Sequence, residues 1–203
     1  MRLRGTSARP AEATGKAATT LGTMFDQLIC HCLLCVAHDE DLDDFDRGII
    51  RKVAEHGWAV VMVPEDEDGP GWAFTVGLWH TFRSPEISMF GLDIEVMRGC
   101  LNTLADQVAA GRGLVADQER DDVIRNYSVV TKNVDQSWYR SLFGMALRFY
   151  QRPPLPFMEV VWPDSAGRFP WDPRATPRLR DLQPSLWIHK DDHAPGPWTK
   201  LPL

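Results

Sequence analysis

A short segment near the N-terminus concentrates residues that bind metals: Cys30, His31, Cys32, Cys35 and His38. Thiolates and imidazoles are ligands that zinc prefers, and a structural zinc site takes four of them. The segment alone could supply its three cysteines, with His31 or His38 as the fourth ligand. We therefore treat it as a candidate metal site.

A different completion of this site uses two histidines near the C-terminus. His189 and His193 have the spacing of a histidine pair on one metal, and with Cys32 and Cys35 they would join the two ends of the chain. We take these four residues as predicted zinc ligands, with Cys30 and His38 as alternates. Two other interpretations stay open. The cysteines could be reduced residues that pack as small hydrophobes, or they could have a redox or disulfide role, although a thioredoxin-like βαβ context is absent.

A second group of polar residues follows a predicted strand. His80 could act as an acid or base near neutral pH, with Glu86 to orient it. Thr75 and Gly77 precede them, and a glycine in a strand allows a ligand or backbone to approach closely. Ser84 lacks the Gly-x-Ser-x-Gly setting of an activated nucleophile. We predict no catalytic residue beyond the candidates His80 and Glu86, and a structural role for Glu86 is the alternative.

A third group surrounds Arg168, which lies between Trp162 and Trp171 in the sequence. A guanidinium beside indole rings can stack on them or bind a carboxylate or phosphate. Asp164 can close an Asx-turn, so turn formation and a structural arginine–aromatic cluster explain the same residues. The predicted ligand-binding residues are Trp72, Thr75, Gly77, Trp162, Asp164, Arg168 and Trp171.

Hydrophobic periodicity predicts the elements that position these groups. Three helices are expected, one from Leu42 with Asp43 as N-cap and Gly57 as its stop, one after Asp93 ending at Gly111, and one capped by Ser137. Predicted strands cover 58–63, 72–78, 86–90, 127–132 and 157–162. The pattern indicates an α+β fold, a single domain with a mostly antiparallel sheet and about three helices.

The ends of the chain differ in composition from its middle. Residues 1–23 are rich in Ala, Thr, Arg and Gly, which predicts a disordered tail or a start codon placed upstream of the true start at Met24. Residues 24–188 are predicted to form the α+β domain. Residues 189–203 are expected to be an irregular C-terminal tail.

Two sequence blocks point to a known family. They are Gly69-Pro-Gly-Trp-Ala-Phe-Thr-Val-Gly-Leu78, continued by Ser84–Leu92, and Val161-Trp-Pro-Asp-Ser-Ala-Gly-Arg-Phe-Pro-Trp-Asp172. On the basis of these two blocks, the region from about Cys32 to Leu186 resembles a bacterial family known as domain of unknown function 4262 (DUF4262). The resemblance implies an N-terminal Cys-x-x-Cys pair, which favours Cys32 and Cys35 over Cys30, and it implies no activity or ligand.

The bulk composition excludes several functions. A net charge of -6 argues against extended nucleic-acid contact, which needs clustered Lys and Arg. No apolar run reaches the roughly 18 residues of a membrane span, so a soluble, cytoplasmic protein is expected. Dinucleotide, P-loop and zincin motifs are absent. We expect a non-enzymatic accessory module that binds an unidentified small molecule, peptide or protein, with zinc as candidate cofactor. The alternatives are a metal- or His-dependent hydrolase and a toxin-neutralising partner.

Overall fold

The computed structural model describes residues 30–36, 42–67, 69–151 and 155–201, and the chain divides into two units, Met1–Cys30 and His31–Leu203. The predicted N-terminal tail and His38 lie outside the described residues. All elements named below belong to the second unit. Its helices are α1 Leu33–Val36, α2 Asp44–His56, α3 Leu78–Phe82, α4 Ile94–Ala109, α5 Tyr139–Leu142, α6 Gly144–Tyr150 and α7 Pro177–Leu182. Its strands are β1 Ala59–Val63, β2 Trp72–Val76, β3 Glu86–Phe90, β4 Glu119–Ile124, β5 Tyr127–Asn133 and β6 Phe157–Val161.

The strands form one six-stranded sheet in the order β1-β2-β3-β6-β5-β4. Neighbouring strands are antiparallel except β3 and β6, which run parallel with Glu86 opposite Phe157 and Ser88 opposite Glu159. The predicted α+β class with a mostly antiparallel sheet is therefore confirmed. Strand β4 was not predicted, because its sequence Glu-Arg-Asp-Asp-Val-Ile lacks apolar alternation; it lies at the edge of the sheet, where polar side chains reach solvent.

The prediction of about three helices was wrong, since the described residues contain seven α-helices. The four additional helices span only four to six residues each, too short for hydrophobic periodicity to reveal. The predicted third helix begins earlier and is interrupted. Asp135, rather than Ser137, caps a 3₁₀ turn, and the chain then breaks between α5 and α6 at Phe143, whose φ of -123° is not helical.

The two long helices follow their caps as predicted. The Asp43 carboxylate accepts a hydrogen bond from the Asp46 N–H at 2.8 Å, and Gly57 ends α2 in the left-handed region with φ of 91°. The Asp93 carboxylate caps α4. These contacts leave Val53 and Gly57 at the end of α2, beside the turn that carries His80.

Each face of the sheet is covered. Helix α4 packs on one face, where its buried Met97, Leu101 and Leu104 meet apolar side chains of β2, β3, β5 and β6. On the opposite face Phe143 stacks on Phe157 at a centroid distance of 4.2 Å. Buried aromatic side chains such as these contribute strongly to the stability of the core.

The C-terminal segment packs onto this opposite face. Trp198 lies in a 3₁₀ turn, is 2% exposed, and meets Trp72 and Phe90 edge-on. The segment therefore contributes to the core of the domain. No helix in the described ranges has the length and apolarity that crossing a membrane requires.

Candidate metal centre

Four potential metal ligands converge in the structure: Cys30, Cys32, Cys35 and His80. Their ligand atoms all lie within 4.8 Å of one another. Cys32 immediately precedes α1, and Cys35 lies within it. His80 lies in α3, more than forty positions later in the chain. Cys30 lies two residues before Cys32 in the sequence. The fold therefore brings a distant imidazole to the thiols of one short segment.

The spacing of three of these atoms matches a metal site. Cys32 Sγ lies 3.3 Å from His80 Nδ1, Cys35 Sγ lies 3.6 Å from the same nitrogen, and the two sulfurs are 3.6 Å apart. Tetrahedral zinc with its usual bond lengths separates two sulfurs by about 3.8 Å and a sulfur from a nitrogen by about 3.6 Å. The three atoms thus form one face of a tetrahedron that zinc fits.

Local backbone structure aims the two thiols at one point. The Cys32 carbonyl accepts hydrogen bonds from the N–H groups of Cys35 and Val36, at 2.8 and 3.1 Å, which closes the first turn of α1. Residues three apart in such a turn lie on the same side. Cys32 is buried and Cys35 is exposed, so the pair reaches from the interior to the surface.

His80 is positioned by the buried carboxylate of Glu86. Glu86 is fully buried, and its Oε1 accepts hydrogen bonds from the N–H groups of Gly77 and Trp79, both at 3.0 Å. Its Oε2 accepts a hydrogen bond from the Thr75 hydroxyl at 2.6 Å. Because Gly77 and Trp79 flank the start of α3, the carboxylate fixes the turn from which His80 projects.

Tyr150 completes this buried network. Its hydroxyl donates to Glu86 Oε1 and accepts from the N–H groups of Gly77 at 2.9 Å and His80 at 3.3 Å. Tyr150 ends α6, which packs against α1. The same hydroxyl therefore connects the helix beside the cysteines to the turn that carries the histidine. Nothing in the sequence around Tyr150 indicated this role.

The charge states follow from burial and contacts. Burial raises the pKa of Glu86, and the hydrogen bonds from Thr75, Tyr150, Trp79 and Gly77 oppose that shift without cancelling it. Burial and the adjacent Glu86 carboxylate raise the pKa of Tyr150, so its hydroxyl stays protonated and donates. Burial, with the nearby Arg83 charge, lowers the pKa of His80, which favours the neutral imidazole that coordinates metals.

The terminal histidines occupy other positions. His193 Nε2 accepts a hydrogen bond from the Ser185 N–H at 3.0 Å, and its ring packs edge-on against Trp138. The His189 side chain accepts a hydrogen bond from the Asp191 N–H at the start of a 3₁₀ turn. Neither histidine belongs to the group around the cysteines, and His31 does not belong to it either. Among the described residues, His80 takes the place for which we expected the C-terminal pair.

A protein-family model described as domain of unknown function (DUF4262) matches residues 52–176, more than half of the chain. The chain belongs to the DUF4262 family. The matched region contains His80, Glu86 and Tyr150, whereas Cys30, Cys32 and Cys35 precede it. No curated protein and no solved structure matches the chain. The resemblance inferred from the two sequence blocks is thereby confirmed, and the family description adds no activity.

The second signature block of this DUF4262 chain forms a loop after β6. Asp164 Oδ1 accepts from the N–H groups of Ala166 and Arg168, and Oδ2 pairs with the Arg168 guanidinium at 3.0 Å. The Trp162 indole N–H donates to the Phe90 carbonyl at 2.8 Å. These contacts give Trp162, Asp164 and Arg168 each a structural role in the loop.

The remaining predicted ligand-binding residues have different surroundings in the fold. Thr75 and Gly77 belong to the buried Glu86 network, and the Trp72 indole N–H donates to the Leu142 carbonyl at 3.2 Å. Trp171 is 45% exposed and stacks on Phe169 with ring centroids 4.7 Å apart. Of the predicted set, Trp171 thus presents the most accessible ring.

A second carboxyl of the DUF4262 domain, Glu159, is fully buried in the middle of β6. Its Oε2 accepts from the Leu186 N–H at 3.1 Å, and within the described part of the chain its Oε1 has no hydrogen-bond partner. Burial raises the pKa of Glu159 well above its ordinary value. The sequence around Glu159, an apolar strand, gave no indication that its carboxyl group is buried with a raised pKa.

Replacement of Glu159 by Gln is expected to change how stability depends on pH. In the range between the unfolded and folded pKa values, folded Glu159 holds a proton that the unfolded chain has lost. The wild-type free energy of unfolding therefore falls as pH rises, by at most about 1.4 kcal/mol per pH unit. Glu159→Gln removes this loss, so the variant gains stability relative to wild type as pH rises.

Urea denaturation at a series of pH values, from about 4 to about 8, checks this difference. Glu119→Gln at the exposed start of β4 is the matched control and should run parallel to wild type. Parallel curves for Glu159→Gln and wild type would contradict the prediction.

Proposed function

We propose that this chain is a non-enzymatic binding module that carries a structural zinc ion on Cys30, Cys32, Cys35 and His80. The observation that carries the proposal is the convergence of these four side chains, with ligand atoms within 4.8 Å of one another. When bound, zinc would supply a cross-link between the start of α1 and α3. Three thiolates and one imidazole are a ligand set of structural zinc sites.

The surroundings of His80 support a structural role for the ion. Four protein ligands fill a tetrahedron and leave no position for a substrate or water. Glu86, the residue that could assist His80 in catalysis, is fully buried and accepts hydrogen bonds from four donors. It is placed to hold α3 rather than to exchange protons with a substrate.

The binding role is supported by an aromatic surface at the other signature block. Trp171 stacks on Phe169 and meets Trp187 edge-on, and the Lys132 ammonium lies 4.9 Å from the Trp171 ring centroid and 5.6 Å from that of Trp187. Trp171 is exposed and Trp187 is half-buried. Tryptophan is enriched in binding hot spots, and a cation over an indole ring is attracted to it. The partner class is a small molecule, a peptide or a protein.

Elemental analysis of the purified protein tests the zinc site. One zinc per chain is expected, and Cys32→Ser and His80→Ala should each lose it. His56→Ala, an exposed histidine of α2, and Cys100→Ala, a buried cysteine of α4, are matched controls that should keep it. A cobalt-substituted sample should show thiolate charge-transfer bands and the intense ligand-field bands of tetrahedral geometry.

Zinc-free protein that is as stable as protein purified in the presence of zinc would contradict the proposal. So would retention of stoichiometric zinc by His80→Ala. Either result would leave the four side chains as an ordinary cluster of reduced cysteines and a histidine.

One observation favours a second candidate, a zinc-dependent hydrolase. The ligand atoms of Cys32, Cys35 and His80 are separated by 3.3 to 3.6 Å, so these three residues alone already form a compact set of ligands. Two cysteines and one histidine with an open fourth position form a catalytic type of site, in which zinc activates a water. Cys30→Ser distinguishes the two candidates. Loss of zinc affinity supports the structural site, and unchanged affinity supports the open one.

A further inference from the structure

We infer that Cys32 and Cys35 form an oxidation site, at which hydrogen peroxide converts the two thiolates into a disulfide and thereby releases the zinc. This inference rests on the proposed zinc site, and it adds a modification that would regulate that site. The two sulfurs lie 3.6 Å apart, and the residues are three positions apart across the first turn of α1. Side-chain rotation alone can bring such a pair toward bonding distance.

The two thiols differ in their access to solvent. Cys35 is exposed, whereas Cys32 is fully buried beside it. A peroxide molecule arriving from solvent therefore reaches Cys35 first, and the buried Cys32 is placed to act as the resolving cysteine. A reactive exposed cysteine next to a second one is the usual arrangement of a redox-sensing pair.

The chemistry balances in two steps. The Cys35 sulfur attacks one peroxide oxygen, the O–O bond breaks, and the departing hydroxide takes up a proton to become water, which leaves Cys35 as a sulfenic acid. The Cys32 sulfur then attacks the Cys35 sulfur, the S–O bond breaks, and the hydroxide again leaves as water. Two electrons pass from the sulfurs to peroxide, and one disulfide and two waters form.

Loss of these two ligands leaves too few donors for zinc. Only Cys30 and His80 would remain of the four-ligand group, and a disulfide sulfur is a poor ligand compared with a thiolate. Release of the ion would uncouple α1 from α3. The oxidation state of one cysteine pair would thus control a cross-link inside the domain.

Cys100 provides an internal comparison within the same chain. It lies in α4 with 6% exposure, and its thiol is directed to the Val123 carbonyl at 3.9 Å. Burial raises the pKa of Cys100, which keeps it a thiol. Because the thiolate is the form that reacts with peroxide, Cys100 should be oxidised much more slowly.

The test treats zinc-loaded full-length protein with hydrogen peroxide and follows zinc release with a chromogenic chelator. We expect release of one zinc per chain together with a mass loss of two hydrogen atoms, and peptide mapping should place the disulfide between Cys32 and Cys35. Dithiothreitol followed by added zinc should restore the loaded state. Cys100→Ala should release zinc at the wild-type rate, and the exposed-thiol variant Cys35→Ala should form no Cys32 disulfide within its own chain.

The outcomes separate this inference from the proposed function. A purified protein without zinc would overturn the proposed function and the release step with it. Stoichiometric zinc that stays bound after peroxide treatment would overturn the oxidation site alone. A disulfide mapped to Cys30 and Cys32 would also overturn it, because the exposed Cys35 would then not be the reacting residue.

Discussion

Replacement of Glu86 by Ala is expected to lower the free energy of unfolding by about 3–5 kcal/mol, because buried donors would lose their acceptor. The carboxylate accepts from the Thr75 and Tyr150 hydroxyls and from the N–H groups of Gly77 and Trp79. The Gly77 N–H would keep its contact with Tyr150, whereas within the described residues the Trp79 N–H donates to Glu86 alone. Chemical denaturation of the zinc-loaded protein measures the change.

The same substitution should weaken zinc binding, which a purely structural role in the core would not require. Loss of a group that orients a metal ligand typically lowers metal affinity by about 10–100-fold. Competition with a chelator of known affinity measures it. Glu86→Gln keeps one acceptor oxygen of the same shape and should recover part of both losses. An affinity unchanged in Glu86→Ala would contradict the positioning role.

The sequence pointed to the cysteines of the candidate metal centre and left open which histidine lies beside them. Cys32 and Cys35 are close in sequence, so a local turn suffices to pair them, and their spacing is visible without a structure. His80 joins them only because β2 ends at Val76 and α3 begins at once. The sequence predicts that this strand continues to Leu78 and favours His189 and His193 over His80 as partners of the cysteines. Contacts across tens of residues depend on packing that no local spacing encodes.

The same contrast holds for the fold. Helix α4 has clear apolar periodicity, and strands β1, β3 and β5 are short runs rich in apolar or β-branched residues, so their approximate positions could be predicted. Strand β4 is polar and is defined by its pairing with β5, for example Glu119 with Val130. Tyr150 and Glu159 looked like ordinary residues of a helix and a strand. The hydrogen bonds of their polar atoms depend on tertiary packing, so they become visible only in the folded structure.

The arginine block illustrates that residue type alone leaves a ligand-binding role and a structural role both open. Arg168 between tryptophans suggested a ligand, and the structure gives it Asp164 as an ion-pair partner four residues away. The turn chemistry of Asp164 was visible in the sequence and accounts for most of the loop. Trp171, in contrast, retains an exposed ring, so the binding role proposed for this block now depends on the aromatic surface rather than on the guanidinium.

Replacement of Gly77 by Ala is expected to destabilise the domain by about 3 kcal/mol, from backbone strain and from overpacking together. Gly77 has a φ of 117°, which side-chain-bearing residues rarely adopt. A Cβ there would lie 2.8 Å from the Gly57 carbonyl oxygen and 2.8 Å from Val53 Cγ2, so the end of α2 blocks it as well. The backbone oxygen cannot rotate away as a flexible side chain could.

The position of Gly77 links this loss to the metal centre. Its N–H donates to both Glu86 and Tyr150, and it immediately precedes the helix that carries His80. A shifted turn would move the imidazole away from the thiols, so Gly77→Ala should lose zinc affinity as well as stability. Gly99→Ala, inside α4, is the matched control, because a Cβ added there would meet no atom within 4 Å apart from its chain neighbours and the adjacent backbone of its own helix. That control should gain about 0.5–1 kcal/mol from helix propensity and keep its zinc. If Gly77→Ala matched wild type in stability and zinc content, the turn would not be the element that positions His80.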